Sequence, residues 1–287
     1  MTDGLREGKG LGAGGIQLHW RLWEAPEPLG SLLILHGLGE HSGRYDPIAR
    51  FLAGRGFSVF SFDLRGHGVS HGPRGDIDAF PRYLEDLLAM EAEMERQLRG
   101  GGPRFLMGHS MGGLLALQRV QTLREPYMGV VLSAPWLATA VPEWVRRLGT
   151  ALAWTVPWLP LPNGLSPERL TRDPEMIRAR KEDPLNHTRI TGRLYRGVHG
   201  AQKQVLGLGA PEDLPLLFLI PSADPVVRSS ATESFAGGIV GTGIRVEILE
   251  GRRHEPLNDL GREDVFSILA SWLQGQIETP GGSASIR

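Results

Sequence analysis

The chain has 287 residues, of which 41% are hydrophobic and 22% charged, and its 31 Lys+Arg against 32 Asp+Glu leave a formal net charge of -1. This suits one large domain or a domain carrying an insertion, and the absence of a basic block argues against nucleic acid as a partner, because phosphate binding needs clustered Lys and Arg. There is no cysteine, which excludes disulfides and Cys-ligated zinc.

Residues 1–15 are Gly-rich without an apolar stretch, and nowhere do about 20 apolar residues run unbroken. No signal peptide and no spanning helix are expected, and a soluble, cytoplasmic protein is the expectation. From Ile16 to Trp23 apolar Ile16, Leu18, Trp20 and Leu22 alternate with polar residues, the period of a half-buried strand. The runs Leu32 to Leu35, Phe57 to Phe62, Met128 to Leu132, Leu214 to Ile220 and Ile244 to Leu249 are short and apolar, as strands buried on both faces would be. Helical spacing marks Arg44 to Arg55, Asp78 to Leu98, Met111 to Leu123 and Arg262 to Gln276 between them. Strands alternating with helices predict the α/β class, a mostly parallel, doubly wound sheet.

From Trp136 to about Ala210 that rhythm stops. No strand is expected there, Trp136, Trp144, Trp154 and Trp158 crowd together, and prolines punctuate short helices, one of them starting at Asp173-Pro174. The predicted organisation is a core of residues 1–135 and 211–287 with residues 136–210 inserted as a helical cap.

Gly108-His109-Ser110-Met111-Gly112 fits G-x-S-x-G between the apolar run Phe105 to Met107 and a helical stretch, the strand, turn and helix context of a nucleophile elbow. A serine hydroxyl needs a base to take its proton, and in this architecture acid and then histidine follow the serine in the chain. Of the downstream histidines, His187 and His199 fall in the cap. His254 follows a strand at its C-terminal end, where ligand sites of open α/β sheets gather. Asp224, after the strand ending at Ile220, has the same placement, whereas Asp213 precedes that strand. The expected catalytic residues are Ser110, Asp224 and His254. The oxyanion hole is expected from the amide of Met111 and one amide of the His36-Gly37-Leu38-Gly39 loop, with Leu38 or an immediate neighbour as donor. His36, His67 and His109 read as structural.

Taken together, His36-Gly-Leu-Gly-Glu-His-Ser-Gly-Arg-Tyr45, Asp63-Leu-Arg-Gly-His-Gly68, Gly108-His-Ser-Met-Gly-Gly113, Ser222-Ala-Asp224 and His254 resemble the monoacylglycerol lipase and lysophospholipase-like branch of the α/β-hydrolases, over about residues 16 to 276 and including Glu182-Asp-Pro-Leu185. The resemblance implies a serine esterase acting on single-chain lipid esters, with no cofactor and no metal, and implies that Glu40 and Arg44 lie near the alcohol side of the site. An aminopeptidase or amidase of the same fold is the competing enzyme; it would need acidic cap groups such as Glu143 or Glu182 to hold an amine. A catalytically silent lipid-binding relative is the alternative outside catalysis. Within the cap, Val141, Trp144, Val145, Leu148, Leu152 and Val156 fall on one helical face. That stripe either packs on the core or lines an acyl route, with Leu148 and Leu152 as substrate contacts, and it offers a transient membrane contact. The sequence leaves the oligomeric state open.

Overall fold

The computed structural model describes residues 4–98, 102–123, 127–241 and 243–278, and the side chains of residues 143, 145, 146 and 148 lie outside that description. Its strands are β1 (Leu5–Leu11), β2 (Gln17–Trp23), β3 (Gly30–Leu35), β4 (Phe57–Phe62), β5 (Arg104–His109), β6 (Gly129–Ser133), β7 (Pro160–Pro162), β8 (Arg189–Thr191), β9 (Leu216–Pro221) and β10 (Ile244–Leu249). Helices α1 (Asp46–Ala53), α2 (Pro81–Gln97), α3 (Met111–Thr122), α4 (Glu143–Thr155), α5 (Pro167–Leu170), α6 (Pro174–Glu182), α7 (Gly192–Leu208), α8 (Ser229–Gly237) and α9 (Arg262–Glu278) alternate with them. Eight strands form one sheet in the order β1-β2-β4-β3-β5-β6-β9-β10. It is parallel from β4 to β10, while β1 and β2 are antiparallel.

The unbroken apolar runs follow from the two-residue period of a strand covered on both faces. On one face Leu33, Leu35, Phe60, Phe62, Leu106, Leu132 and Phe218 pack against α2, α3, α7 and α8. On the other, Leu32, Ile34, Phe57, Val59, Phe105, Met107 and Leu217 pack against α1 and α9. Each such side chain taken fully out of water contributes on the order of 1.5–3 kcal/mol, so the central strands are the rigid base from which the loops at their C-terminal ends project.

Three strands depart from expectation. The Gly-rich start contains β1, in register with β2 from Leu5 opposite Trp23 to Leu11 opposite Gln17; Gly8 and Gly10 leave no alternating pattern to read. Between Trp136 and Ala210, where no strand is expected, β7 and β8 pair with Leu161 opposite Ile190. Three-residue strands, one of them Pro160-Leu161-Pro162, are too short to carry a period.

The segment between β6 and β9 has two characters. α7 sends Leu194, Val198, Ala201 and Val205 into the same apolar layer as the sheet. α4 packs on α7 through small residues: a Cβ on Gly192 would lie 2.6 Å from the Ala153 Cα, and Ala153 is buried. Among the described side chains of α4 the most buried, Ala153, is outside the expected stripe, while Trp144 is 69% exposed. Close approach to α7 needs small residues, and that turns the helix away from its bulkiest side chains. α6 begins as expected, with Asp173 accepting from the Glu175 amide (2.9 Å) ahead of Pro174.

Candidate active site

β5 ends at His109 and α3 begins at Met111, so the chain must reverse at a single residue. Ser110 makes the turn at φ 52°, ψ -113°, a strained conformation that costs on the order of 1–3 kcal/mol and persists only where surroundings impose it. The imposing bonds are Ser110 N–H to Ser133 O (3.0 Å), Leu114 N–H to Ser110 O (3.1 Å) and Trp136 N–H to Ser110 O (3.0 Å). Glycine is required on either side: a Cβ at Gly108 would sit 2.2 Å from the Gly112 carbonyl oxygen, and one at Gly112 would sit 2.2 Å from that of Leu35.

The loops after β9 and β10 bring Asp224 and His254 to this turn. His254 Nε2 lies 2.9 Å from Ser110 Oγ, and His254 Nδ1 lies 2.7 Å from Asp224 Oδ2. Burial alone would push the Asp224 carboxyl up, but the His254 ring and the amides of Val226 (2.7 Å) and Val227 (3.0 Å) outweigh it and hold the group below the usual carboxylate range. An ionised carboxylate on Nδ1 fixes the tautomer that leaves Nε2 free to accept a proton from the hydroxyl. Asp213 is exposed ahead of β9, away from this contact. The residues following Asp224 are tied to the start of the β6–β9 segment: Ala140 N–H donates to Val226 O (2.9 Å), Arg228 N–H donates to Ala138 O (2.9 Å), and Thr139 bridges Val227.

Leu38 and Met111 are buried, and Leu38 lines a cavity of about 10 Å³ beside Ser110 and His254 to which Leu165 and Leu170 also contribute. The Gly37 amide donates to Glu40 Oε1 (2.5 Å), which commits the neighbouring candidate donor and leaves Leu38 as the amide of interest. His36 braces this loop: Nδ1 donates to Gly37 O (2.8 Å), and Nε2 accepts from the Leu64 amide (2.9 Å). His109 packs with its ring 4.9 Å from that of His254; burial, aided by the neighbouring His254 ring, lowers its pKa to about 4, so it stays neutral near pH 7.

Behind the cavity lies a buried charge network that sequence reasoning reaches only in part. Arg44 grips Glu255 with two bonds (2.8 and 2.7 Å) and Glu40 with one (3.0 Å). Arg180 of α6 donates to Glu255 (3.0 Å) and to the Gly39 carbonyl (3.4 Å). Burial pushes Glu40 and Glu255 up, but Arg44, joined at Glu255 by Arg180, holds both below the usual carboxylate range. Glu40 lines the cavity, and Arg44 stands behind it. Glu255 and Arg180 have no motif to announce them; the signal available is that Glu255 directly follows the candidate base. Leu152 is half-buried, and the Leu148 side chain is outside the described residues. His187 holds the Gly39 carbonyl through its amide (3.1 Å), and His199 stacks edge-on against Tyr195.

Among the described residues no His, Cys, Asp and Glu group could hold a metal, and no helix is long and apolar enough to cross a membrane. The profile of the family described as serine aminopeptidase, S33, matches residues 26–261. Human monoglyceride lipase is 36% identical, over 94% of this chain and 91% of its own length. A monoacylglycerol lipase of Paleococcus ferrophilus superposes with a TM-score of 0.79 at 29% identity, covering 95% of this chain and 99% of that one. The chain spans 28% of a longer abhydrolase domain-containing protein of Dictyostelium discoideum, to which it is 27% identical. Fold, family profile and relatives agree, and the chain belongs to the S33 serine aminopeptidase family of α/β-hydrolases, in which its similarity runs to the monoglyceride lipases.

Proposed function

We propose that this protein is a serine ester hydrolase that splits monoacylglycerols or related single-chain lipid esters into a fatty acid and an alcohol through an acyl-enzyme. The observation that carries the reading is the hydrogen-bonded line Ser110, His254, Asp224 at a strained elbow, in a chain 36% identical to a monoglyceride lipase.

In this mechanism Ser110 Oγ attacks the ester carbonyl while His254 Nε2 takes its proton and Asp224 holds the imidazolium. Charge develops on the carbonyl oxygen, which the amides of Leu38 and Met111 stabilise. Collapse expels the alcohol, protonated by His254, and water then cleaves the acyl-enzyme with the same residue as base. Glu40 and Arg44 shape the alcohol side through the charge network. The cavity beside Ser110 holds no more than about one water, so Leu165 and Leu170 must part to admit an acyl chain. Residues 136–210 act as the cap, with Leu148 and Leu152 along the acyl route. Its exposed Trp144, Trp154 and Trp158 (69, 68 and 64%) touch a lipid surface, and the enzyme works in the cytoplasm.

The aminopeptidase alternative needs an unmatched carboxylate for the substrate amine. The two that line the cavity, Glu40 and Glu255, are each paired with arginine; Glu182 lies exposed at the end of α6, and the Glu143 side chain is outside the described residues.

The test is a hydrolysis screen over monoacylglycerols, lysophospholipids, triacylglycerols and aminoacyl anilides, with Ser110→Ala in parallel. Monoacylglycerols are expected to be the best substrates. Ser110→Ala is expected to abolish fluorophosphonate labelling and to lower kcat by roughly 10⁴–10⁶. Near-normal turnover by Ser110→Ala would refute the mechanism, and preference for the anilides would refute the substrate class.

A further inference from the structure

The sheet ends at β10, whose outer side no element covers among the described residues; only β9 and α8 pack extensively against it. A bare edge presents unpaired backbone groups that template pairing with another chain, and proteins usually blunt such edges with proline, a bulge or a lysine. β10, Ile-Arg-Val-Glu-Ile-Leu, has no proline or lysine and keeps an unbroken register with β9, and its two charges, Arg245 and Glu247, are of opposite sign. Val246 and Ile248 are 41% and 42% exposed on it.

The direction of its free groups can be worked out. Leu216 N–H donates to Gly243 O and Ser222 N–H to Leu249 O, each at 3.1 Å, so residues 243 and 249 turn their carbonyls toward β9. Backbone groups alternate along a strand. Arg245 and Glu247 therefore also point inward, while Ile244, Val246 and Ile248 direct both N–H and C=O away from the sheet.

We propose that β10 pairs antiparallel with β10 of a second copy of this chain about a two-fold axis through Val246. The register follows from charge. An axis through Arg245 would set that arginine against its own copy, and one through Glu247 would set glutamate against glutamate; like charges directly opposite are unfavourable. The axis through Val246 places Arg245 opposite Glu247 of the second copy, twice by symmetry. It also places Ile244 opposite Ile248 and Val246 opposite Val246. Each facing pair of outward residues then exchanges both hydrogen bonds. Ile244 already packs with the apolar layer under α8, so the second copy extends that layer. The Arg245–Glu247 ion pair within one strand (2.6 Å) is exchanged for pairs between copies. Such an interface is isologous and closes at two chains. Antiparallel pairing points the two Ser110 sites in opposite directions, so neither depends on the other.

Sedimentation equilibrium on the full chain tests this. Wild type is expected at twice 31.4 kDa. Arg245→Glu and Glu247→Arg, each alone, create like-charge pairs across the axis and are expected to weaken the dimer by about tenfold or more. Mixing those two variants sets glutamates against arginines and should restore it. Val246→Pro removes an outward N–H without touching the bonds to β9, and should give monomer. All variants should keep the wild-type turnover of a short soluble ester. A wild type that stays at 31.4 kDa at high micromolar concentration overturns the proposal. So does failure of the mixed variants to associate, or protection of the Ile244, Val246 and Ile248 amides from hydrogen exchange that is independent of concentration, because the chain's own residues would then cover the edge.

Discussion

The loops at the C-terminal ends of the strands and the segment between β6 and β9 solve opposite problems. In the loops, His36, Asp63, Ser110, His254, Glu255 and Asp259 are buried polar groups, and each finds a partner. A buried polar group stripped of its partner costs about 1–3 kcal/mol, more if charged, so these residues specify one geometry together. The β6–β9 segment instead leaves Trp144, Trp154, Trp158 and Leu159 in water, where single changes cost little. Chemistry is written into the first region and surface into the second. Arg180 crosses the boundary, since it belongs to the segment by sequence and to the loops by contact.

The largest expected effect tests the first region. Asp224→Asn should lower kcat by on the order of 10⁴ by removing the acceptor on His254 Nδ1, while Asp213→Asn stays near wild type; the reverse outcome would move the acid. Arg180→Met comes next. It leaves Glu255 buried against Arg44 alone, and losing one partner of a buried pair costs about 3–5 kcal/mol. We expect that loss in urea unfolding, together with a fall in kcat on short esters of about 10–100-fold, and Arg180→Lys should recover part of both. Unchanged short-ester turnover in Arg180→Met would return α6 to the second region.

A pH effect follows in size. His109 in the native protein stays neutral down to about 4, whereas an unfolded chain takes up that proton near ~6.5. Through that window the unfolded state binds the extra proton, so stability falls as pH falls. His109→Gln should flatten the decline in urea midpoint by the equivalent of about 3 kcal/mol between neutral pH and the bottom of the window; an unaltered slope would assign the decline to other groups. The smallest effects belong to the segment. Trp158→Ser should reduce binding to phospholipid vesicles several-fold and leave short-ester turnover intact. Leu152→Ser should raise KM for long-chain monoacylglycerols only, at about 0.8 kcal/mol per methylene of lost contact. Equal losses on short and long esters would make Leu152 a packing residue.

Much of this was legible in the residues because the physics is local. A strand buried on both faces reads as a short apolar run, and β4 falls at the expected bounds; β10 has the expected bounds but is an edge strand, not buried on both faces, because no neighbour follows it in the sheet. A serine on a strand-to-helix turn needs glycines at fixed spacing, so the elbow is visible in five residues. β1 is not legible, since glycines and charges can form an edge strand that is held mainly by β2. Nor is the network. Arg44 and Glu255 are 211 residues apart, and Arg180 meets Glu255 only once α6 has docked; such pairings have no period. Nor does the α4 stripe say which of its residues meet α7, because the partner helix, with Gly192 at the contact, sets where the close approach falls.

The first residues of the β6–β9 segment carry a consequence for building chimeras. A natural plan for altering substrate range is to transplant this segment from one relative to another, cutting where β6 ends. Yet the Trp136 amide supports the Ser110 carbonyl, and residues 138–140 pair with those that follow Asp224. A graft joined at Ser133 would exchange the backbone that pins Ser110 and the residues after Asp224 along with the rest of the segment. Joined after Ala140, the same graft would keep both anchors, and its effect on substrate range could be read without damage to the chemistry.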